Sequence, residues 1–200
     1  MDLNVLWFIL ITVLFAGFFF LEGFDYGVGM TIPFISSSEN NRTLVINTIA
    51  PVWDGNEVWM ITAGGALFAA FPHVYATMFS TFYLALFLML LALILRGAGL
   101  ELRSKHESYT WRRLWDWAIC LGSALPAFLW GVAITNLLRG LPISDKMIYM
   151  GTFYDLLTPY TVVGGITFLL VTHDRRMLAT VRLTRRWHVE DGQVREIEPD

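Results

Sequence analysis

The chain is organised as five apolar runs separated by short polar or glycine-rich segments. A helix needs about 20 apolar residues to cross the hydrocarbon core of a bilayer, and lengths of roughly 17 to 25 are tolerated. The pattern predicts an all-α polytopic membrane protein, a four-helix bundle with a peripheral fifth transmembrane helix. A transmembrane helical domain is expected over 1–172 and a cytoplasmic charged tail over 173–200. The predicted spans are 5–24, 49–71, 74–95, 117–138 and 156–172.

Composition strengthens this prediction. Hydrophobic residues make up 56% of the chain, charged residues 16%, and the mean hydropathy is +0.54, values outside the usual range of a soluble domain. No basic segment precedes the first run and no small-residue cleavage site follows it, so we expect that run to be a retained helix. The single cysteine, Cys120, excludes a disulfide within the chain.

Basic residues are distributed unevenly between the two sides. Of the 14 Lys and Arg residues, only Arg139 and Lys146 lie between the fourth and fifth runs, and the other 12 lie in segments on the opposite side. The positive-inside rule therefore predicts an external N-terminus, five crossings and a cytoplasmic C-terminus.

Several local features predict packing. We expect the polar segment 33–47 to be a loop, and the stripe Gly64-Gly65-Ala66 to let another helix approach closely. Pro126 should kink the fourth helix unless a neighbour satisfies the freed carbonyl. Asp116 is expected to pair with Arg112 or Arg113.

Ionisable side chains at membrane depth mark the candidate site. Asp54 and Glu57 lie three residues apart and share a helix face. Acids at this depth indicate an ion or proton path by default, and a capping role at the helix start is the alternative. Candidates for the proton path, in order, are Asp54, Asp25, Glu57 and Glu22, and the expected supporting residues, which would hold water or a quinone-like ring, are Trp53, Asn56 and Trp59.

Haem or metal ligation by this chain is not expected. None of the histidines lies within a predicted span, and methionines such as Met60, Met78 and Met89 more often pack than ligate. The histidines are His73, His106, His173 and His188.

Ordered motifs over residues 1–172 resemble subunit II of the bacterial cytochrome bd quinol oxidases. They are Gly23-Phe24-Asp25-Tyr26-Gly27-Val28-Gly29, the stretch from Asn47 through Trp53-Asp54-Gly55-Asn56-Glu57-Val58-Trp59 to Ala70, Arg103-Ser104-Lys105, and Trp111-Arg112 with Trp115-Asp116-Trp117.

The resemblance implies the non-haem subunit of a quinol:oxygen oxidoreductase in the bacterial inner membrane. The larger subunit I would carry haems b and d, and quinone, lipid and a small accessory subunit are further expected partners, whereas nucleic acid is not. In that family the residue matching Asp54 is assigned to a cytoplasmic proton path, and the residue matching Asp25 to function or assembly. A structural quinone occurs in some members. The alternatives are a purely structural scaffold subunit or a free-standing proton-coupled transporter.

The resemblance weakens after Thr172. Members of the family are roughly twice as long as this chain, and we expect the tail from His173 onward not to match them. A shortened form, a frameshifted end and a trimmed sequence all fit this difference.

Overall fold

The computed structural model describes residues 2–35, 39–172, 186–190 and 193–197. The apolar part is helical, as predicted, whereas a two-stranded antiparallel sheet within the tail was not expected. The elements are α1 (Leu3–Thr31), α2 (Glu39–Ile49), α3 (Trp53–Ala70), α4 (Pro72–Thr81), α5 (Tyr83–Leu102), α6 (Tyr109–Arg139), α7 (Pro159–Thr172), β1 (Arg186–Glu190) and β2 (Gln193–Ile197).

Three helical segments of the described chain are long and apolar enough to cross a membrane. They are Leu3–Phe34, Tyr83–Lys105 and Tyr109–Arg139. Helix α7 is apolar but has only 14 residues, and α3 begins with the polar stretch that contains Asp54. The chain is therefore a multi-pass membrane protein, and the bundle of five crossings stays a prediction.

The segment expected to be a polar loop contains helix α2, so that prediction was wrong. Its buried side chains are Arg42, Ile46 and Ile49, which are spaced by four and three residues and therefore share one face of a helix. The two isoleucines pack in an apolar cluster with Val28 and Ile119. Burial of this narrow stripe stabilises a helix whose remaining surface is polar.

The predicted helix over 74–95 is also wrong as a single element. It is divided at Phe82, whose backbone angles (φ −95°, ψ 16°) depart from α-helical values. Helix α5 starts after this residue and continues to Leu102, beyond the predicted end. The apolar pattern alone does not show the break because apolar residues continue on both sides of Phe82.

Helix α6 lies at the centre and packs against α5, α7 and α1. Glycines allow two of these close approaches: a Cβ at Gly122 would lie 2.7 Å from the Ala92 carbonyl oxygen of α5, and one at Gly131 would lie 2.7 Å from the Gly164 carbonyl oxygen of α7. Pro126 lies inside α6, and the helix continues on both sides of this proline.

An open apolar groove of about 710 Å³ runs along α3, α4 and α5. Gly64 and Gly65 line it, and apart from the chain neighbours and the backbone of α3 itself, no atom of the described chain lies within 4 Å of a Cβ built on either glycine. The expected helix partner for this small-residue stripe is therefore not found within the described residues. Aromatic side chains form much of the wall, namely Phe68, Tyr75, Phe79, Tyr83 and Phe87.

The loop between α6 and α7 is tied to α4. The Thr77 hydroxyl donates to the carbonyl oxygen of Met147 at 2.7 Å. Further along, the backbone amide and hydroxyl of Thr152 donate to Asp155 at 2.7 and 2.8 Å, and these bonds hold the pKa of that carboxyl below its ordinary value. The loop thus has defined local structure at the end of the bundle.

The predicted orientation is tested by labelling single cysteines with a membrane-impermeant maleimide. Lys105→Cys should react only when the cytoplasmic face is accessible, and Asp145→Cys only from outside, because the basic residues favour that arrangement. Both positions are exposed, whereas the native Cys120 is buried at 7% exposure and gives a low background. Reaction of Asp145→Cys solely from the cytoplasm would refute the orientation.

Candidate functional site

Four charged side chains from three helices meet inside the apolar part of the chain. Helix α1 supplies Glu22 and Asp25, both fully buried, α3 supplies Glu57, and α5 supplies Arg96, which is 1% exposed. Moving a charged side chain from water into such surroundings costs several kcal/mol per ion unless a partner compensates. The cluster must therefore be held together by its internal contacts.

Arg96 contacts all three carboxyl groups. Its Nη1 atom pairs with Oε1 of Glu22 and lies 3.5 Å from Oε1 of Glu57. Its Nη2 atom lies 3.9 Å from Oδ2 of Asp25. One guanidinium consequently joins α1, α3 and α5.

Two neutral side chains complete the surroundings. The Asn56 amide donates to Oδ2 of Asp25 at 2.7 Å, which links α3 to α1 a second time. The guanidinium carbon of Arg96 lies 5.0 Å from the centroid of the Tyr26 ring, within the range of a cation–π interaction. Tyr26 is 1% exposed, so this contact is shielded from solvent.

The structure places the predicted candidates differently with respect to this cluster. Glu22, Asp25, Glu57 and Asn56 are brought together, whereas Asp54 is exposed in the first turn of α3. Among the described residues Asp54 forms no ion pair. Because Asp54 precedes Glu57 by three residues, it lies about one helical turn away along the same face.

The two predicted supporting tryptophans contact neighbouring helices. A Cβ on Gly97 of α5 would lie 3.1 Å from the Trp53 ring, and one on Gly17 of α1 would lie 2.6 Å from the Trp59 ring. Both indole rings therefore pack where a glycine leaves room, and they fix α3 between α1 and α5.

Sequence reasoning missed Arg96. The residue follows the third apolar run and was counted only as evidence for sidedness. A search for charge compensation finds it, since three acids within the helices need a base and Arg96 is the basic residue nearest to an apolar run on α5. When each acid is considered separately, nothing in the sequence points to Arg96 as its partner.

A second ion-pair network lies where α2 meets α6 and the short 3₁₀ turn after α5. Fully buried Asp116 accepts from Arg103 Nε at 2.6 Å and from Arg42 Nη1 at 3.3 Å. Arg112 instead lies 3.1 Å from Glu39, which also pairs with Arg103 at 2.9 Å. The expected pairing of Asp116 with Arg112 or Arg113 is therefore wrong, because the helical position of α2 brings a different arginine within reach.

The described residues contain no group of three or more His, Cys, Asp or Glu side chains arranged to hold a metal ion. His73 and His106 are exposed at the ends of helices, His173 lies outside the described residues, and the side chain of His188 is likewise not described. Met89 packs in an apolar cluster with Phe82 and Leu129.

The apolar helices and the ion pairs buried between them place the chain among polytopic membrane proteins that carry charged side chains in their helical part. Residues 3–190 match the family described as cytochrome bd terminal oxidase subunit II, and the chain belongs to that family. The match runs past Thr172 to residue 190, so the expectation that the whole tail departs from the family was wrong.

Curated relatives agree with this assignment. The chain is 48% identical over 170 residues to the cytochrome bd ubiquinol oxidase subunit 2 of Bacillus subtilis, covering 85% of this chain and 50% of that protein. It is 47% identical over 182 residues to the probable cytochrome oxidase subunit 2 of Haemophilus influenzae, covering 88% and 48%. For the cytochrome bd-I ubiquinol oxidase subunit 2 of Escherichia coli the values are 47% over 168 residues, 82% and 44%. The chain thus spans about half the length of these relatives.

Replacement of Arg96 tests the importance of the cluster for stability. Arg96→Gln should lower the free energy of unfolding by about 3 to 5 kcal/mol, because it leaves buried carboxylates without their cation. The measurement is denaturant unfolding in mixed micelles. Arg112→Gln is the control: its ion pair is 27% exposed on the arginine side, and the expected loss is at most about 1 kcal/mol. Equal losses in the two variants would contradict this role of Arg96.

Proposed function

We propose that the chain is the non-haem subunit of a terminal quinol:oxygen oxidoreductase in the bacterial cytoplasmic membrane. In this role it stabilises a larger haem-bearing subunit and provides part of the proton-uptake path from the cytoplasm for reduction of oxygen to water. Family membership supports the first part, as do relatives named ubiquinol oxidase subunit 2. The chain is not expected to be active alone.

The buried cluster carries the second part of the proposal. Exposed Asp54 lies in the first turn of α3, Glu57 follows about one turn further along the helix, and Glu22 and Asp25 of α1 meet Glu57 around Arg96. Positioned carboxyl groups transfer protons efficiently over hydrogen-bond distances or through one water. In this proposal Asp54 is the first residue to accept a proton from the cytoplasm, and the buried cluster is the next proton-accepting site along the path.

Haem ligation is assigned to the partner. Haem iron takes His, Met, Cys or Tyr ligands that project into a protected pocket. The two histidines with described side chains, His73 and His106, are exposed outside the apolar interior, and this donor arrangement does not fit haem. Haems b and d belong to the larger subunit in this proposal.

Quinone and lipid are proposed as ligands of the apolar groove along α3, α4 and α5. Its volume of about 710 Å³ and its aromatic walls suit an isoprenoid or acyl chain. The groove is distinct from the charged cluster, since none of its lining residues is Asp, Glu, Lys, Arg or His.

The role of Asp54 is tested by Asp54→Asn in the assembled complex. The substitution keeps size and hydrogen bonding but removes the titratable proton, so quinol oxidation by oxygen should slow roughly tenfold or more, given that positioned proton transfer contributes typically about 10²- to 10⁴-fold. Haem content and assembly should persist. Asp54→Glu should recover part of the rate.

Asp145→Asn provides the matched control, because it makes the same chemical change at an exposed position in the loop between α6 and α7. Its turnover should equal that of the unmodified complex. If Asp54 only caps α3, Asp54→Asn should instead lose stability of about 1 kcal/mol with normal turnover per assembled complex. That result would favour the purely structural scaffold.

The assignment of haem to the partner is tested by replacing the four histidines together. Substitution of His73, His106, His173 and His188 should leave every haem absorption band of the purified complex at its normal intensity relative to protein. Loss of one band, with both subunits still associated, would show that this chain supplies an axial ligand.

A further inference from the structure

The buried cluster contains three carboxyl groups and one guanidinium. The nearby cations are engaged elsewhere: Arg42 and Arg103 pair with Asp116, and Arg112 pairs with Glu39. Among the described residues, exposed Asp54 on α3 is a further acid beside Glu57, and α6 contributes the neutral Trp130 next to Tyr26. If all three carboxyl groups were ionised, the cluster would carry two uncompensated negative charges in apolar surroundings, which is energetically prohibitive.

The three acids are not equivalent. Oδ2 of Asp25 accepts from the Asn56 amide at 2.7 Å and faces Arg96 Nη2 at 3.9 Å, two contacts that favour the carboxylate form. Glu22 and Glu57 instead converge on the same atom, Arg96 Nη1. Each of the three acids also has one buried oxygen without a hydrogen-bond partner among the described residues, namely Oε2 of Glu22, Oε2 of Glu57 and Oδ1 of Asp25, so it is the shared Nη1 atom that distinguishes the two glutamates.

Two carboxylates that meet at one nitrogen repel each other, and retention of a proton between them removes the repulsion. We infer that Glu22 and Glu57 share one proton as a carboxyl–carboxylate pair, with Arg96 as the residue that positions both groups. The proton passes from the O–H of one carboxyl group to an oxygen of the other, and no other bond changes. The shared proton is inferred from the geometry alone. The further inference that this pair takes part in proton uptake rests on the proposed function.

The test is infrared spectroscopy of the purified complex in H₂O and D₂O near neutral pH. A protonated carboxyl group gives a C=O band at higher frequency than any carboxylate band, and this band moves on deuteration. Glu57→Gln and Glu22→Gln should each abolish the band of the buried pair, because the remaining carboxylate then has Nη1 to itself. Arg96→Lys keeps the charge but changes the geometry, and should shift the band without removing it.

Glu101→Gln is the matched control. It makes the same substitution at an exposed residue near the end of α5, one to two turns from Arg96, and should leave the band in place. A band that survives in both Glu57→Gln and Glu22→Gln would overturn the inference. If Glu22→Gln fails to accumulate, Glu57→Gln decides alone, since glutamine imitates a protonated carboxyl group in shape and hydrogen bonding.

Turnover of the same variants separates the inference from the proposed function. Loss of the band with normal quinol oxidation would establish the shared proton and refute its part in proton uptake. Slowed oxidation with an unchanged band in Glu57→Gln would refute the shared proton while leaving the uptake path in place.

Discussion

The interactions of Arg96 are the constraint on which the arrangement of α1, α3 and α5 depends. A single buried guanidinium compensates carboxyl groups from two other helices, and no two of these helices can separate without exposing a charge to apolar surroundings. Breaking a buried pair typically costs about 3 to 5 kcal/mol, far more than the packing of one small side chain. The apolar surfaces bring the helices together, and the charges determine which faces meet.

The network around Asp116 also consists of ion pairs between different segments, but it lies closer to solvent than the Arg96 cluster. It joins α2, the turn after α5 and the first part of α6, and its outer members Glu39 and Arg112 remain partly exposed at 34% and 27%. Water can therefore compensate part of this network but little of the Arg96 cluster. The outer network thus holds α2 in position at the partly hydrated end of α6, while the inner cluster is shielded from water.

The sequence pattern was sufficient for the helical class, because long apolar runs are favoured in a bilayer almost regardless of tertiary context. It was insufficient for α2, whose buried stripe of Arg42, Ile46 and Ile49 is short and contains a charge. It also missed the break at Phe82, where apolar residues continue on both sides. Within the site, Glu22, Asp25 and Glu57 were recognisable individually as acids near apolar runs, but the pairing of Arg96 with Glu22, 74 positions away in the chain, is seen only in the structure. Asp116 was assigned to the wrong arginines for the same reason: local spacing identifies neighbours along one helix and says nothing about partners from another.

The separation of Glu22 and Arg96 along the chain also constrains biosynthesis. The two residues are 74 positions apart, so at about 5 to 20 residues per second the ribosome adds Arg96 roughly 4 to 15 seconds after Glu22. During that interval the acids of α1 have no cation to accompany them into the bilayer, and α1 is expected to stay near the translocon or the membrane surface at its acidic end. We therefore expect lateral release of α1 to await the arrival of α5, because charge compensation favours insertion of the two helices together.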